Sequence, residues 1–93
     1  MEEIGKIIAY FKIPQAAIIK IDKGTLVIGD YVKIKGHTTD FSQKVESMEI
    51  EHKVLDKASA PQEIGLKVKE KVREHDVVYK LDPSEIEELR EKN

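Results

Sequence analysis

The chain has 93 residues, of which 40% are hydrophobic and 37% charged, and its formal net charge is −2. This size allows one hydrophobic core and therefore one domain, while the high charge fraction predicts a strongly solvated surface. The absence of cysteine excludes disulfides, thiolate metal sites and cysteine nucleophiles, and no apolar run is long enough for a signal peptide or a membrane span. We therefore expect a soluble, cytoplasmic protein without membrane contact.

Charge is distributed unevenly along the sequence. Residues 1–81 hold 14 Lys/Arg against 13 Asp/Glu, whereas residues 82–93 hold 2 against 5. Because the excess of acid lies in the C-terminal segment, the overall negative charge does not exclude a basic surface elsewhere.

The first half of the sequence has the pattern of successive short strands. Residues 4–13 are apolar at both odd and even positions and end at Pro14, which predicts a strand covered on both faces. Residues 15–22 are rich in β-branched side chains, and the Asp22-Lys23-Gly24 turn separates them from a short apolar run at 25–28. After the Gly29-Asp30 turn, the YVKIK segment at 31–35 alternates between apolar and polar residues, which predicts one core face and one solvent face.

The second half continues this pattern and ends in a helix. Residues 36–40 form a polar loop, residues 41–52 alternate with a predicted bulge or sharp bend near Glu46-Ser47, and residues 53–61 read as a loop. A strand is predicted over 63–73 and a last one over 77–81, separated by a His75-Asp76 turn. Asp82 or Ser84 can cap a short acidic helix, in which Ile86 and Leu89 form one apolar stripe that we expect to pack on the strands.

This arrangement predicts an all-β domain over residues 1–81, followed by a short acidic C-terminal helix or tail over 82–93. Closure of six or seven antiparallel strands into a small β-barrel would remove the exposed edges of so small a sheet. A two-sheet sandwich is the alternative.

Several segments resemble the second, β-barrel domain of translation elongation factors of the elongation factor Tu type. They are residues 5–8, 24–34, 45–52 and 60–78, and together they span most of the chain from Gly5 to Leu81. The chain is similar more narrowly to small stand-alone elongation-factor-like proteins and to the barrel appended to collagenase-like peptidases, a likeness that includes the GHTTDF string at 36–41. The resemblance implies glycine at two turn positions where this chain has Gln62 and His75, and we expect positive φ at both.

Basic residues at alternating positions are the main candidate for a binding site. They are Lys33, Lys35, Lys67, Lys69, Lys71 and Arg73. Alternate residues of a strand lie about 6.6 Å apart, a spacing that can follow a phosphate backbone. One interpretation is a surface for RNA, tRNA or the ribosome; the other is a solvated strand face, since Glu70 and Glu74 interrupt the row and no exposed aromatic run accompanies it.

Other motifs give little support to catalysis. No glycine-rich loop precedes a helix in a way that could hold a nucleotide phosphate. The His37-Thr38-Thr39-Asp40 string is more typical of a loop with side-chain to backbone hydrogen bonds than of a nucleophile and its base, and the three histidines lack the spacing of a zinc site. Glu49 and Glu51 share a strand face, as solvated charges commonly do.

The sequence therefore predicts a non-enzymatic binding module with no catalytic residues, no metal and no cofactor. Its expected partner is RNA or the ribosome. The alternative is a protein partner, with the domain acting as an accessory to a separate catalytic subunit such as a collagenase-like peptidase.

Overall fold

A computed structural model describes residues 1–91 of the chain. Within them the chain forms ten β-strands and one helix. The strands are β1 Glu2–Phe11, β2 Ala16–Ile21, β3 Thr25–Val27, β4 Tyr31–Lys35, β5 Asp40–Lys44, β6 Met48–Ile50, β7 Lys53–Val54, β8 Lys57–Ser59, β9 Glu63–Lys67 and β10 Val77–Lys80, and the helix is α1 Pro83–Glu91. The all-β prediction with a C-terminal helix is thus confirmed, and the predicted number of strands is too low. The last two residues of the predicted 82–93 segment lie outside the described part of the chain.

The strands form two antiparallel sheets. Eight of them follow the order β5-β4-β10-β1-β2-β9-β6-β7, and β3 pairs with β8 separately. No strand pairing joins β5 to β7 in residues 1–91, so the large sheet has two edges and the predicted closed barrel is not confirmed. Only residues 45–47 connect β5 to β6, however, so the two sides of the sheet come within about 14 Å of each other. The sheet is therefore curled, with a gap in its hydrogen-bonding ladder.

One core of aliphatic side chains fills the space between the two sheets. Strand β4 buries Val32 and Ile34, and β9 buries Ile64 and Leu66, as period-two alternation requires. In β1 the register against β10 shifts between Glu3 and Gly5, which allows both Ile4 and Ile7 to face the core although they are three residues apart. The register against β2 shifts again between Ile7 and Ala9. These bulges explain why the sequence of β1 is apolar at both odd and even positions.

The chain between residues 45 and 73 departs most from the predicted strands. The predicted strand over 41–52 is broken at 45–47, where a bulge or sharp bend was predicted, because the chain leaves β5 for the far side of the sheet. The predicted loop over 53–61 contains β7 and β8, and the predicted strand over 63–73 ends at Lys67. Strand β9 stops there because Lys67 lies opposite Ala16, the first residue of its partner β2, and β6 begins only opposite Leu66.

Turn conformations agree with the sequence at some positions and not at others. Gly24 and Gly29 have positive φ, and so does His75, at 75°, as expected. Gln62 is not among the residues with positive φ, so the expectation for that position is wrong.

The C-terminal helix begins at the predicted boundary with reciprocal capping bonds. Glu85 N donates to Asp82 Oδ1 at 2.9 Å, and Asp82 N donates to Glu85 Oε1 at 3.1 Å. Asp82 is therefore the cap, and these two bonds form a capping box. Ile86 and Leu89 are half-buried, and Leu89 lines the same groove as Tyr31 and Lys33 of β4.

Candidate functional site

A groove of about 740 Å³ lies along the free edge of β5. Strand β5 forms one wall, and the chain that continues β9 through Val68 and Lys69 forms the opposite wall. Tyr31 and Lys33 of β4 and Leu89 of α1 also line the groove. Its cationic lining residues are Lys33, Lys44, Lys67 and Lys69, and its anionic ones are Asp40 and Glu46. The groove therefore occupies the gap between the two sides of the curled sheet and has more positive than negative side chains.

The hydrogen-bonding phase of the β4–β5 ladder determines which backbone groups face the groove. Gly36 N donates to Thr39 O at one end of this pair, and Val45 N donates to Asp30 O at the other. Because hydrogen-bonded pairs alternate in an antiparallel ladder, Phe41 and Gln43 bond to β4 between these ends. The N–H and C=O groups of Ser42 and Lys44 consequently point away from β4, toward the free edge.

Gln43 joins the two walls of the groove through its side chain. Its Nε2 donates to Lys67 O at 2.8 Å, and its Oε1 accepts from Lys69 N at 2.9 Å. A residue of a parallel neighbouring strand would bond to the same two groups, since parallel ladders link one residue to the C=O of i and the N–H of i+2. The Gln43 carboxamide thus makes the two hydrogen bonds that one residue of a neighbouring strand would make, at the point where the ladder is interrupted.

Ionic and aromatic contacts position part of the charge around the groove. Lys33 Nζ lies 3.4 Å from Asp40 Oδ1, and the Lys69 ammonium lies 5.9 Å from the centroid of the Phe41 ring. Lys44 and Lys67 are exposed. Since Asp40 offsets the charge of Lys33, the net cationic character of the groove comes mainly from Lys44, Lys67 and Lys69.

The structure brings together only some of the basic residues that the sequence singled out. Lys33, Lys67 and Lys69 line the groove, whereas Lys35, Lys71 and Arg73 do not. Lys67, Lys69, Lys71 and Arg73 are all exposed, as predicted, but only Lys67 belongs to a strand. The expected single row on one strand is therefore wrong, and the role of the six residues in binding stays a prediction.

Gln43 and Lys44 also line the groove, although the sequence did not single them out as site residues. Nothing in the FSQK string of β5 distinguishes an edge strand from an interior one, because edges are determined by pairing with distant segments.

The histidine, threonine and glutamate motifs that the sequence offered do not form a cluster of catalytic or metal-binding side chains in the described residues. Thr39 is buried in the turn between β4 and β5, where its carbonyl accepts from Gly36 N. His52 and Glu51 have positive φ in the turn before β7. In residues 1–91, no three His, Cys, Asp or Glu side chains come together in a way that could hold a metal ion. The helix that the structure describes is too short to cross a membrane.

A second surface feature is the tip of the β1–β2 hairpin. Phe11 is 52% exposed there and Ile13 is 89% exposed. Large apolar side chains exposed together on a small, highly charged domain are typical of contact surfaces.

Comparison with known proteins supports one of the two similarities that the sequence suggested. No protein-family profile matches the chain. Over 83 residues it is 42% identical to a collagenase of Porphyromonas gingivalis, an alignment that covers 88% of this chain and 23% of the collagenase. Over 80 residues it is 38% identical to an uncharacterized protease of Methanocaldococcus jannaschii, covering 85% of this chain and 19% of the protease.

The decisive structural match is to the crystal structure of a C-terminal domain from Geobacillus thermoleovorans, which comes from a protein described as a U32 peptidase. It gives a TM-score of 0.80 at 25% identity, and the match covers 87% of this chain and 93% of that domain. The chain is similar to the C-terminal domain of U32 peptidases. It spans about a fifth of the length of the curated relatives that it matches. The barrel appended to collagenase-like peptidases therefore fits this chain, whereas the resemblance to the second domain of elongation factor Tu is not shown.

Proposed function

We propose that this chain is a non-catalytic accessory domain that acts with the catalytic part of a U32-type peptidase. The observation that carries the proposal is the C-terminal domain match, because that domain is covered almost completely by this chain. In the collagenase relative, by contrast, the alignment leaves more than three quarters of the protein unmatched. If the catalytic residues of such relatives lie in the unmatched part, the role of the matched domain is binding.

The surface of the domain supports a protein partner. The exposed Phe11 and Ile13 at the β1–β2 tip are the kind of side chains that protein interfaces cover.

The test uses the P. gingivalis collagenase shortened so that it lacks the segment matched by this chain. We expect the isolated 93-residue protein to release no fluorescence from labelled gelatin. Mixing or fusing it with the shortened collagenase should lower the KM for gelatin without an equal change in kcat, because a binding domain adds substrate or subunit affinity rather than chemistry. Calorimetry of the mixture should give a one-to-one complex, weakened by Phe11→Ser.

The matched control is Val54→Ser, which removes another exposed apolar side chain, 76% accessible, on β7. Gelatin hydrolysis by the isolated chain would contradict the non-catalytic proposal. The absence of both a complex and a change in KM would contradict the accessory role.

An RNA or ribosome partner has less support than a protein partner. The basic residues at 33, 35, 67, 69, 71 and 73 divide between the groove and other parts of the surface instead of forming one face. The relatives named above are peptidases rather than translation factors. Filter binding of tRNA at low salt tests this alternative, since phosphate contacts to lysines would give affinity that falls steeply as salt rises.

A further inference from the structure

We propose that the free edge of β5 binds an extended, acidic polypeptide segment, which adds to the sheet as a further strand. This inference rests on the proposed accessory function, because it names the surface and the kind of protein segment that the domain would bind. Three independent features of the groove lead to it.

The first feature is the set of backbone groups that the edge offers. Ser42 and Lys44 direct their N–H and C=O groups away from β4, as the Gly36–Thr39 and Asp30–Val45 bonds require. Lys44 O already accepts a long hydrogen bond from Gln43 Nε2, at 3.5 Å, and the other three groups are arranged to bond to the main chain of an incoming strand. Such main-chain bonds are how strand addition gives affinity for extended peptides of varied sequence.

The second feature is space that the protein itself leaves between the two walls. Strand β5 has five residues and is about 16 Å long, so it can pair with four or five residues of a partner. The adjoining groove, at about 740 Å³, falls within the usual range of ligand sites. The Gln43 side chain already bonds to the backbone C=O of Lys67 and the backbone N–H of Lys69. These two groups of the far wall therefore need no bond from the partner.

The third feature is charge, which selects the partner. Lys44, Lys67 and Lys69 line the groove. Of the two acidic lining residues, Asp40 forms an ion pair with Lys33, and Glu46 is the other. Lysines along an edge disfavour pairing with a second copy of the same edge, because two such strands would bring like charges together. A segment with carboxylates at alternate positions would neutralise them, so the groove fits an acidic strand.

The experiment measures fluorescence anisotropy of a labelled octapeptide of alternating glutamate and valine, added to the full 93-residue chain at low salt. We expect saturable binding. The double variant Lys67→Gln/Lys69→Gln should weaken it about four- to twenty-five-fold, since each exposed ion pair contributes about two- to fivefold. Lys35→Gln/Lys71→Gln removes the same charge outside the groove and should change the affinity less than about twofold.

Two further probes separate strand addition from simple charge attraction. The same peptide methylated at alternate backbone nitrogens keeps its charge but loses donors, and it should bind at least about tenfold more weakly. Ser42→Pro removes the outward N–H of β5 without removing a bond to β4, and edge positions tolerate proline. It should also weaken binding, with circular dichroism verifying that the variant is folded.

Several results would overturn the proposal. They are no binding of the acidic peptide, equal binding of the methylated peptide, equal binding of a lysine-valine peptide, and tighter binding of oligouridylate of the same charge. The last result would identify the groove as a polyanion site for nucleic acid. The assay contains no peptidase. A negative result would therefore contradict strand addition at β5 without contradicting the accessory function, which the complex with the shortened collagenase tests separately.

Discussion

Replacement of Gln43 by alanine tests whether a side chain links the two sides of the curled sheet. The substitution removes the bonds from Gln43 Nε2 to Lys67 O and from Lys69 N to Gln43 Oε1, at 2.8 and 2.9 Å. A hydrogen bond contributes about 0.5–1.5 kcal/mol net, and water can partly replace these two because they are exposed. We therefore expect Gln43→Ala to lower the free energy of unfolding by about 1–2 kcal/mol. For a domain of this size the melting temperature should fall by roughly 4–16 °C.

Gln43→Glu is the more stringent variant, because it retains the acceptor for Lys69 N but places a carboxylate oxygen against Lys67 O. It should destabilise the protein through repulsion between the two oxygens. Ser42→Ala, one residue away on the opposite face of β5, is the control and should change the midpoint little. Urea unfolding followed by circular dichroism measures all three. Equal midpoints for the wild-type protein and both Gln43 variants would show that the carboxamide does not hold the sheet together.

Three further predictions concern positions with tight packing or a titrating cap. A Cβ on Gly36 would overlap the buried carboxylate of Asp76, so Gly36→Ala should lower the free energy of unfolding in urea by about 2–4 kcal/mol. The same substitution in an Asp76→Ala background should lower it much less. A Cβ on Gly5 would overlap a backbone carbonyl of β2, so Gly5→Ala should cost about 3 kcal/mol or more, and an unchanged midpoint would contradict that close strand approach. The backbone N–H of Glu85 lowers the pKa of Asp82, so the capping contribution is present above the ordinary carboxyl pKa and lost as pH falls through the lowered one. Asp82→Asn keeps the cap but removes the charge, and its melting temperature should depend less on pH on the acid side.

Local patterns in the sequence were sufficient where neighbouring residues determine the structure. The YVKIK alternation predicted the buried and exposed faces of β4, and the DPSE string predicted the start of α1 with Asp82 or Ser84 as its cap, of which the structure uses Asp82. Both depend on interactions within a few residues, so no knowledge of distant segments was needed.

Strand pairing and the candidate site depend on distant contacts that the sequence does not show. The two-residue β7 and three-residue β8 are too short for an alternating pattern, and they form because β6 and β3 provide partners. Strand β9 ends at Lys67 although the alternation continues to Arg73, since its partner β2 begins opposite Lys67 and β6 begins opposite Leu66. The same non-local pairing leaves β5 at an edge, which is why the groove could not be predicted from the basic residues alone.

The gap in the sheet follows from the bonds of Val45. If β6 extended backward in its register with β9, Val45 would lie opposite Lys69. Its backbone groups are already used, because Val45 N donates to Asp30 O and Val45 O accepts from Gly29 N, at 2.7 and 2.9 Å. The burial of its side chain fixes it there as well. A strand that enters the groove would therefore meet an edge that is already formed, and the association would not require the entropy cost of ordering β5 first.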